Sequence, residues 1–168
     1  MFDINYLEIF NDNIPPEIAV MLIGMTPISE LRGAIPLGIA GYKLHPLVAY
    51  FWSVLGNIIP PIIFIFFLEK TAAFLSLKFN FWKKFFHWLF ERTRHRAEEK
   101  IKKYGAWGLF ILVAIPLPMT GGWTGALAAF LFGIKRKLSI PIITLGIITA
   151  GIIVLILTVG IEKIFQIA

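Results

Sequence analysis

Apolar residues fill most of this chain, and the polar residues between them leave apolar segments of two kinds. Residues 46–68 and 140–161 are long and uncharged. Each is long enough to cross a ~30 Å hydrocarbon core as a helix. Residues 18–42 and 107–134 are also mostly apolar, but proline and glycine divide each into parts of about half that length. The pattern predicts two transmembrane helices and two re-entrant hairpins, each entering and leaving the membrane on one side.

The two halves of the chain also share the spacing of their glycines. The offsets are 92, 92 and 90 positions, and the pairs are Gly33 with Gly125, Gly41 with Gly133, and Gly56 with Gly146. Paired broken segments are typical of transporters built from inverted repeats. We therefore predict one all-α membrane domain over residues 1–168, with repeat one at residues 17–68 and repeat two at 105–162.

Composition indicates the class of the protein, and the distribution of its charges predicts the orientation. Of all residues 58% are hydrophobic, and the mean hydropathy is +0.80, which indicates an integral membrane protein. Ten of the 16 Lys and Arg residues lie between residues 69 and 104, interleaved with aromatic residues. This pattern predicts an amphipathic connector in the cytoplasmic headgroup layer. We expect a multi-pass protein of the cell (inner or plasma) membrane, with residues 135–137 also cytoplasmic and both termini external.

An acid and a base interrupt the first predicted hairpin. Glu30 and Arg32 lie among Pro27, Gly33 and Pro36, each of which weakens a helix. We therefore expect both charged residues in an irregular tip, where their side chains can converge. Charges within a membrane are energetically costly and usually functional, which makes Glu30 a candidate proton or cation site and Arg32 an anion clamp. The alternative is a purely structural ion pair.

The second predicted tip is rich in glycine and threonine and contains neither an acid nor an arginine. We expect helices to open at Gly33-Ala34 and at Thr124-Gly125, so that their amide groups attract an anion. The alternatives are a tight glycine turn at the tip and a packing role for Trp123. The candidate binding residues around the second tip are Pro116, Pro118, Thr120, Gly121, Gly122, Trp123, Thr124 and Gly125.

Two further features of the apolar segments have a packing interpretation. Asn57 lies in residues 46–68 beside Pro60-Pro61, where a kink is expected. Its amide either bonds a neighbouring helix or takes part in the transport site. Small residues also recur every four positions after the second tip, which favours close helix contact. They are Gly121, Gly125, Ala129 and Gly133.

The sequences at these two tips resemble those of a known family. Glu-Leu-Arg-Gly-Ala-Ile-Pro at 30–36 and Pro-Leu-Pro-Met-Thr-Gly-Gly-Trp-Thr-Gly at 116–125 resemble the signatures of the prokaryotic small multi-drug export protein family, over nearly the whole chain. That family is distantly similar to the DedA/VTT membrane proteins. The resemblance implies two oppositely oriented re-entrant hairpins and movement of lipids or lipid-linked phosphates. The uncharged second tip departs from the DedA pattern, so a charge relay between two hairpins does not carry over.

These observations favour an ion-coupled transporter or flippase that moves an anionic amphiphile, such as a lipid-linked phosphate, between the two tips. The alternatives are an exporter of cationic drugs and a membrane scaffold without transport. No phosphate-binding loop or catalytic constellation is present in the sequence, so we expect neither an ATP-driven pump nor an enzyme. We expect no metal, no cofactor and no nucleic acid; the partners are anionic or phosphate-bearing membrane lipids, with a homodimer left open.

Overall fold

The computed structural model describes residues 14–78, 105–117 and 120–167, and every regular element in these residues is helical. A π-helical turn, Leu37–Gly41, directly follows the second α-helix. The six α-helices are α1 Pro16–Met25, α2 Glu30–Pro36, α3 Pro46–Lys78, α4 Gly105–Ala114, α5 Gly122–Leu131 and α6 Arg136–Ile167. The expectation of an all-helical protein is confirmed for the described residues.

Two of the described helices are long and apolar enough to cross a membrane. Pro46–Leu68 within α3 has a mean hydropathy of 2.0, and Arg136–Ile164 within α6 has a mean hydropathy of 2.8. The two predicted transmembrane segments are thus confirmed as membrane-length apolar helices. α3 continues past the expected end at residue 68 into the predicted connector, up to Lys78. The rest of that connector, including its amphipathic character, lies outside the described residues.

The segments predicted as hairpins consist of short helices. α1, α4 and α5 have ten residues each, about 15 Å, so none can cross a ~30 Å hydrocarbon core. α1 and α2 pack against each other and are joined by residues 26–29, which makes them a helical hairpin. Re-entry into a membrane and the inverted repeat stay predictions.

The chain forms two compact units. The first unit comprises residues 1–59 and 148–168, and the second comprises residues 60–147. In the first unit a cluster of buried apolar side chains packs around the hairpin. Its fully buried members are Val20, Ile23 and Ala34, and Leu37, Tyr42, Leu44 and Trp52 pack around them.

Glycines bring helix backbones together in the first unit. A Cβ atom on Gly24 would lie 2.8 Å from the carbonyl oxygen of Ser53, and one on Gly56 would overlap the carbonyl oxygen of Met21. α1 and α3 therefore touch through their backbones at two points. Lipid tails are as apolar as the side chains, so such close van der Waals contact, more than burial from water, holds membrane helices together.

The second unit uses glycine in the same way. A Cβ atom on Gly146 would lie 2.7 Å from Cβ of Val113, and one on Gly125 would overlap a methyl group of the same valine. The prediction of close packing in the small-residue series is therefore confirmed at Gly125, and Ala129, the next member, is buried. Gly133 has a different role. It lies after the end of α5 with a φ of 65°, and the bonds from its N–H to Phe130 and from the next N–H to Ala129 close the helix.

Candidate functional site

Thr26 builds the turn that ends α1 and starts α2. Its hydroxyl donates to the Ile23 carbonyl at 2.8 Å and accepts the Ser29 N–H at 3.3 Å, while its carbonyl accepts the Glu30 N–H at 3.1 Å. The turn is complete by Ser29, so α2 opens at Glu30. The expectation that Gly33-Ala34 opens the helix was therefore wrong, and Arg32 lies within the helix; Glu30, at its first position, does have an irregular backbone.

Glu30 is the first residue of α2 and has an unusual backbone. Its φ is 46°, a left-handed conformation that a glutamate adopts at a cost of roughly 1–3 kcal/mol. Such strain persists only where the surrounding structure holds it, and it concentrates at functional positions. Glu30 is also only 5% exposed, an uncommon degree of burial for an acid.

Glu30 and Arg32 form an ion pair. Nη2 of Arg32 lies 3.4 Å from Oε2 of Glu30, and the arginine side chain is 26% exposed against 7% for the glutamate. Residues two apart on a regular helix point to different faces. The left-handed backbone at Glu30 breaks that regularity and lets the two side chains meet. The predicted convergence of the acid and the base is therefore found, at the start of a helix.

Gly33 and Pro36 shape the helix that carries this pair. A Cβ atom on Gly33 would lie 2.8 Å from Cβ of Ser29, so a glycine is required for the turn to fold this closely onto α2. Pro36 lies inside α2 and lacks an N–H, and the helix widens into the π-helical turn directly after it. That turn closes with the Tyr42 N–H donating to the Leu37 carbonyl at 3.0 Å. π-Helical turns next to or within α-helices occur frequently at functional sites.

Asn57 lies on a buried polar face of α3 in the first unit. It is 2% exposed, and its Oδ1 atom has no hydrogen-bond partner among the described residues. Ser53, four residues earlier on the same face, is fully buried, and its hydroxyl also lacks a described partner. Sequence analysis missed Ser53, although its spacing from Asn57 was the available signal. Pro60 and Pro61 follow inside α3. Because proline has no N–H group, the carbonyl oxygens of Gly56 and Asn57 lack their usual helical donors and add two hydrogen-bond acceptors to this stretch.

Hydrogen bonds of two threonine side chains stabilise the second tip. The Thr120 hydroxyl accepts the Leu117 N–H at 3.1 Å and lies 2.9 Å and 2.8 Å from the carbonyl oxygens of Ile115 and Leu117. The Thr124 hydroxyl donates to the Gly121 carbonyl at 3.1 Å. Both hydroxyls therefore serve the local fold, which favours the structural interpretation of these two residues.

Helix α5 opens at Gly122, two residues before the predicted Thr124, because Gly121 reverses the chain just before it. Gly121 has a φ of 142°, which residues with a Cβ atom rarely adopt. Gly125 lies within α5 and serves the contact with Val113. The expectation that Thr124-Gly125 opens the helix is wrong, while the glycine-turn alternative is found at Gly121.

Trp123 packs within the second unit. Its ring centroid lies 5.3 Å from that of Phe64, and its indole N–H is buried without a partner among the described residues. Pro116 is half-buried in the segment that follows α4, and Pro118 lies outside the described residues. Within the described ranges, no three His, Cys, Asp or Glu residues come together as a metal site.

One comparison with known proteins gives a match. A family model described as "Putative small multi-drug export protein" matches residues 30–153, which is well over half of the chain and includes Glu30, Arg32 and the second tip. No curated protein and no solved structure matches the chain. The similarity to DedA/VTT proteins therefore stays a prediction.

Proposed function

Because the chain belongs to the small multi-drug export protein family, we propose that it is a membrane exporter of small amphiphilic molecules. The description of the family names a transporter, and the two membrane-length helices fit a protein that resides in a bilayer. The observation that carries the proposal is the ion pair of Glu30 and Arg32. It lies in a hairpin whose helices are too short to cross the bilayer, and charges placed there mark substrate or ion pathways.

In this proposal the pair couples transport to protons. Glu30 is buried beside the Arg32 guanidinium group, so a proton taken up by its carboxylate cancels the attraction between the two side chains. The strained backbone at Glu30 can relax in the same step. Protonation of one carboxylate thus changes both a charge and a conformation at the start of α2, as a coupled carrier requires.

Transport in proteoliposomes tests this proposal. We expect a pH gradient to drive movement of fluorescent amphiphiles by the unmodified protein and not by Glu30→Gln or Arg32→Gln. Glu17→Gln and Lys43→Gln are matched controls, because they remove the same charges elsewhere in the first unit. Proton-driven transport that survives Glu30→Gln would refute the coupling role, and the absence of any driven transport would refute the exporter.

An anionic amphiphile, such as a lipid-linked phosphate, is the second candidate substrate. The specific observation in its favour is that Arg32 is the more exposed member of the pair, so a ligand reaching the pair meets the guanidinium group before the carboxylate. Phosphorylated polyprenols should then raise the thermal stability of the protein. A ligand at a hundred times its Kd adds about 2.7 kcal/mol. Equal stabilisation of Arg32→Gln would count against this substrate.

We also propose that residues 69–104 and 135–137 face the cytoplasm, with both termini external. The basic residues of these segments support this orientation by the positive-inside rule. The chain has no cysteine, so single cysteines at Asn11, Thr93, Lys137 and Gln166 can be mapped with an impermeant thiol reagent. Labelling of Thr93→Cys from outside intact cells would contradict this arrangement, as would labelling of Lys137→Cys from the opposite side to Thr93→Cys.

A further inference from the structure

A cavity of about 360 Å³ opens on the first unit beside the π-helical turn. Its lining comes from two parts of the chain: Pro36 and Ala40 in the hairpin, and Thr158, Ile161 and Glu162 near the end of α6. Small-molecule sites are mostly apolar clefts of roughly 300–1,000 Å³ with a few polar groups. This cavity has that size and character.

Among the described residues that line the cavity, Glu162 alone is charged. It is half-buried and makes no ion pair with another described residue. Thr158 also lines the cavity, but its hydroxyl donates to the Val154 carbonyl at 2.8 Å, so its proton is already used within α6. Lys163 follows Glu162 directly, but it is exposed, and successive residues on a helix do not share a face. The described part of the lining therefore offers oxygen acceptors and a negative charge, without a positive charge.

We propose that this cavity binds a lipophilic cation, with the positive charge at Glu162 and the apolar body against Pro36, Ala40 and Ile161. The proposal rests on the proposed export function and names a substrate class for it. Glu30 is a poor site for such a ligand because Arg32 already neutralises it, whereas Glu162 has no such partner among the described residues. Thr158, Ile161 and Glu162 lie outside the matched family segment at residues 30–153, so nothing in that match assigns them.

The position of Glu162 fits the entry of an amphiphile. The residue lies near the C-terminal end of the membrane-length segment Arg136–Ile164. A cation with an apolar body concentrates at the boundary between the headgroups and the acyl chains, where both parts are satisfied. The π-helical turn forms the opposite wall, so a bound ligand contacts the helix that begins at Glu30.

Two ions of the same shape and opposite charge provide the binding test. Purified full-length protein in detergent is titrated with tetraphenylphosphonium and, separately, with tetraphenylborate. We expect saturable binding of the cation alone, weakened about tenfold by Glu162→Gln, as is typical on loss of one charge pair. Glu17→Gln should leave binding unchanged. Ala40→Leu should also weaken binding by filling the cavity, and thermal unfolding would show that each variant is folded.

Each outcome decides the proposal. Equal binding of both ions, or cation binding unaffected by both Glu162→Gln and Ala40→Leu, would overturn it and would indicate an apolar groove filled by lipid chains. Binding and export remain separable, because cation binding is measured on purified protein without a gradient and export is measured as proton-driven transport in proteoliposomes. Transport of amphiphiles that is indifferent to Glu162→Gln would overturn this site and leave the exporter intact.

Discussion

In each unit a glycine of a long helix packs against a short helix, but the residues beside that glycine differ in polarity between the units. In the first unit Gly56 packs on Met21, flanked by Ser53 and Asn57, which are 0% and 2% exposed. In the second unit Gly146 packs on Val113, and the residues at the same spacing are Ile143 and Ile147, which are 2% and 1% exposed.

The residues at matching positions are thus equally buried, but they are polar in the first unit and apolar in the second. A close glycine contact does not require a polar neighbour, as the second unit shows, so Ser53 and Asn57 are not needed for packing. The buried acid and its arginine also belong to the first unit, as do Pro36 and Asn57. We infer that the first unit carries the chemistry, whereas the glycine contact of the second unit has an apolar surrounding.

The largest effect should come from adding a methyl group at these two glycines. Gly56→Ala places Cβ against the Met21 carbonyl, a backbone atom that cannot yield, and should lower stability by about 3 kcal/mol. Gly146→Ala meets mainly the Val113 side chain and should cost about 1–2 kcal/mol. Thermal unfolding in detergent measures both changes.

Gly160→Ala is the control for both variants. No described residue lies within 4 Å of a Cβ atom there, so the alanine should stabilise α6 by about 0.5–1 kcal/mol. A Gly146→Ala variant that is less stable than Gly56→Ala would show that the second unit, and not the first, has the more rigid contact.

The next largest change in stability should come from removing one arginine charge in each unit. Arg32→Gln leaves the buried Glu30 without its cation and should cost on the order of 2 kcal/mol. Arg136 in the second unit is exposed over the ring of Phe66 at 5.2 Å, so Arg136→Gln should cost less than about 1 kcal/mol.

The double variant Glu30→Gln/Arg32→Gln separates a structural pair from a functional one. If the pair is mainly structural, the double variant should be more stable than Arg32→Gln alone, because no charge is stranded. Equal destabilisation of the single and double variants would show that Arg32 acts through contacts other than this pair.

The smallest effect should come from two buried serines. Ser53 and Ser139 are both fully buried, and neither hydroxyl has a partner among the described residues. Replacing either by alanine removes an unsatisfied polar group and should change stability by no more than about 1 kcal/mol, in the stabilising direction. The comparison of the units predicts that Ser53→Ala impairs transport and Ser139→Ala does not. Loss of transport in both variants, or in neither, would break that contrast.

Much of the fold could be predicted from the sequence because apolar length is a direct physical constraint. The uncharged stretch at residues 46–68 has to be a long helix, since only a helix satisfies its own backbone in lipid. Proline and glycine likewise marked residues 18–42 as interrupted. The helix starts were misplaced by two or three residues, because the hydrogen bonds of Thr26 and the backbone of Gly121 set them, and neither is visible as a pattern.

The candidate site was predicted in part for the same reason. Glu30 and Arg32 were found because charge is rare in an apolar segment, but their relative exposure depends on packing that the sequence does not encode locally. Ser53 could have been found from its four-residue spacing to Asn57. Glu162 has no such signal in the sequence, because only the fold brings it beside Pro36 and Ala40.

The π-helical turn has a consequence for changes in chain length. A turn of this kind accommodates one residue more than an α-helical turn, so deleting a residue from Leu37–Gly41 can leave an ordinary α-helix with its ladder intact. A deletion between residues 30 and 36 instead turns every preceding side chain, including Glu30, by about 100° relative to the rest of the helix. In a scan of single-residue deletions, removal of Ala40 should therefore yield folded protein, whereas removal of Leu31 or Ile35 should not.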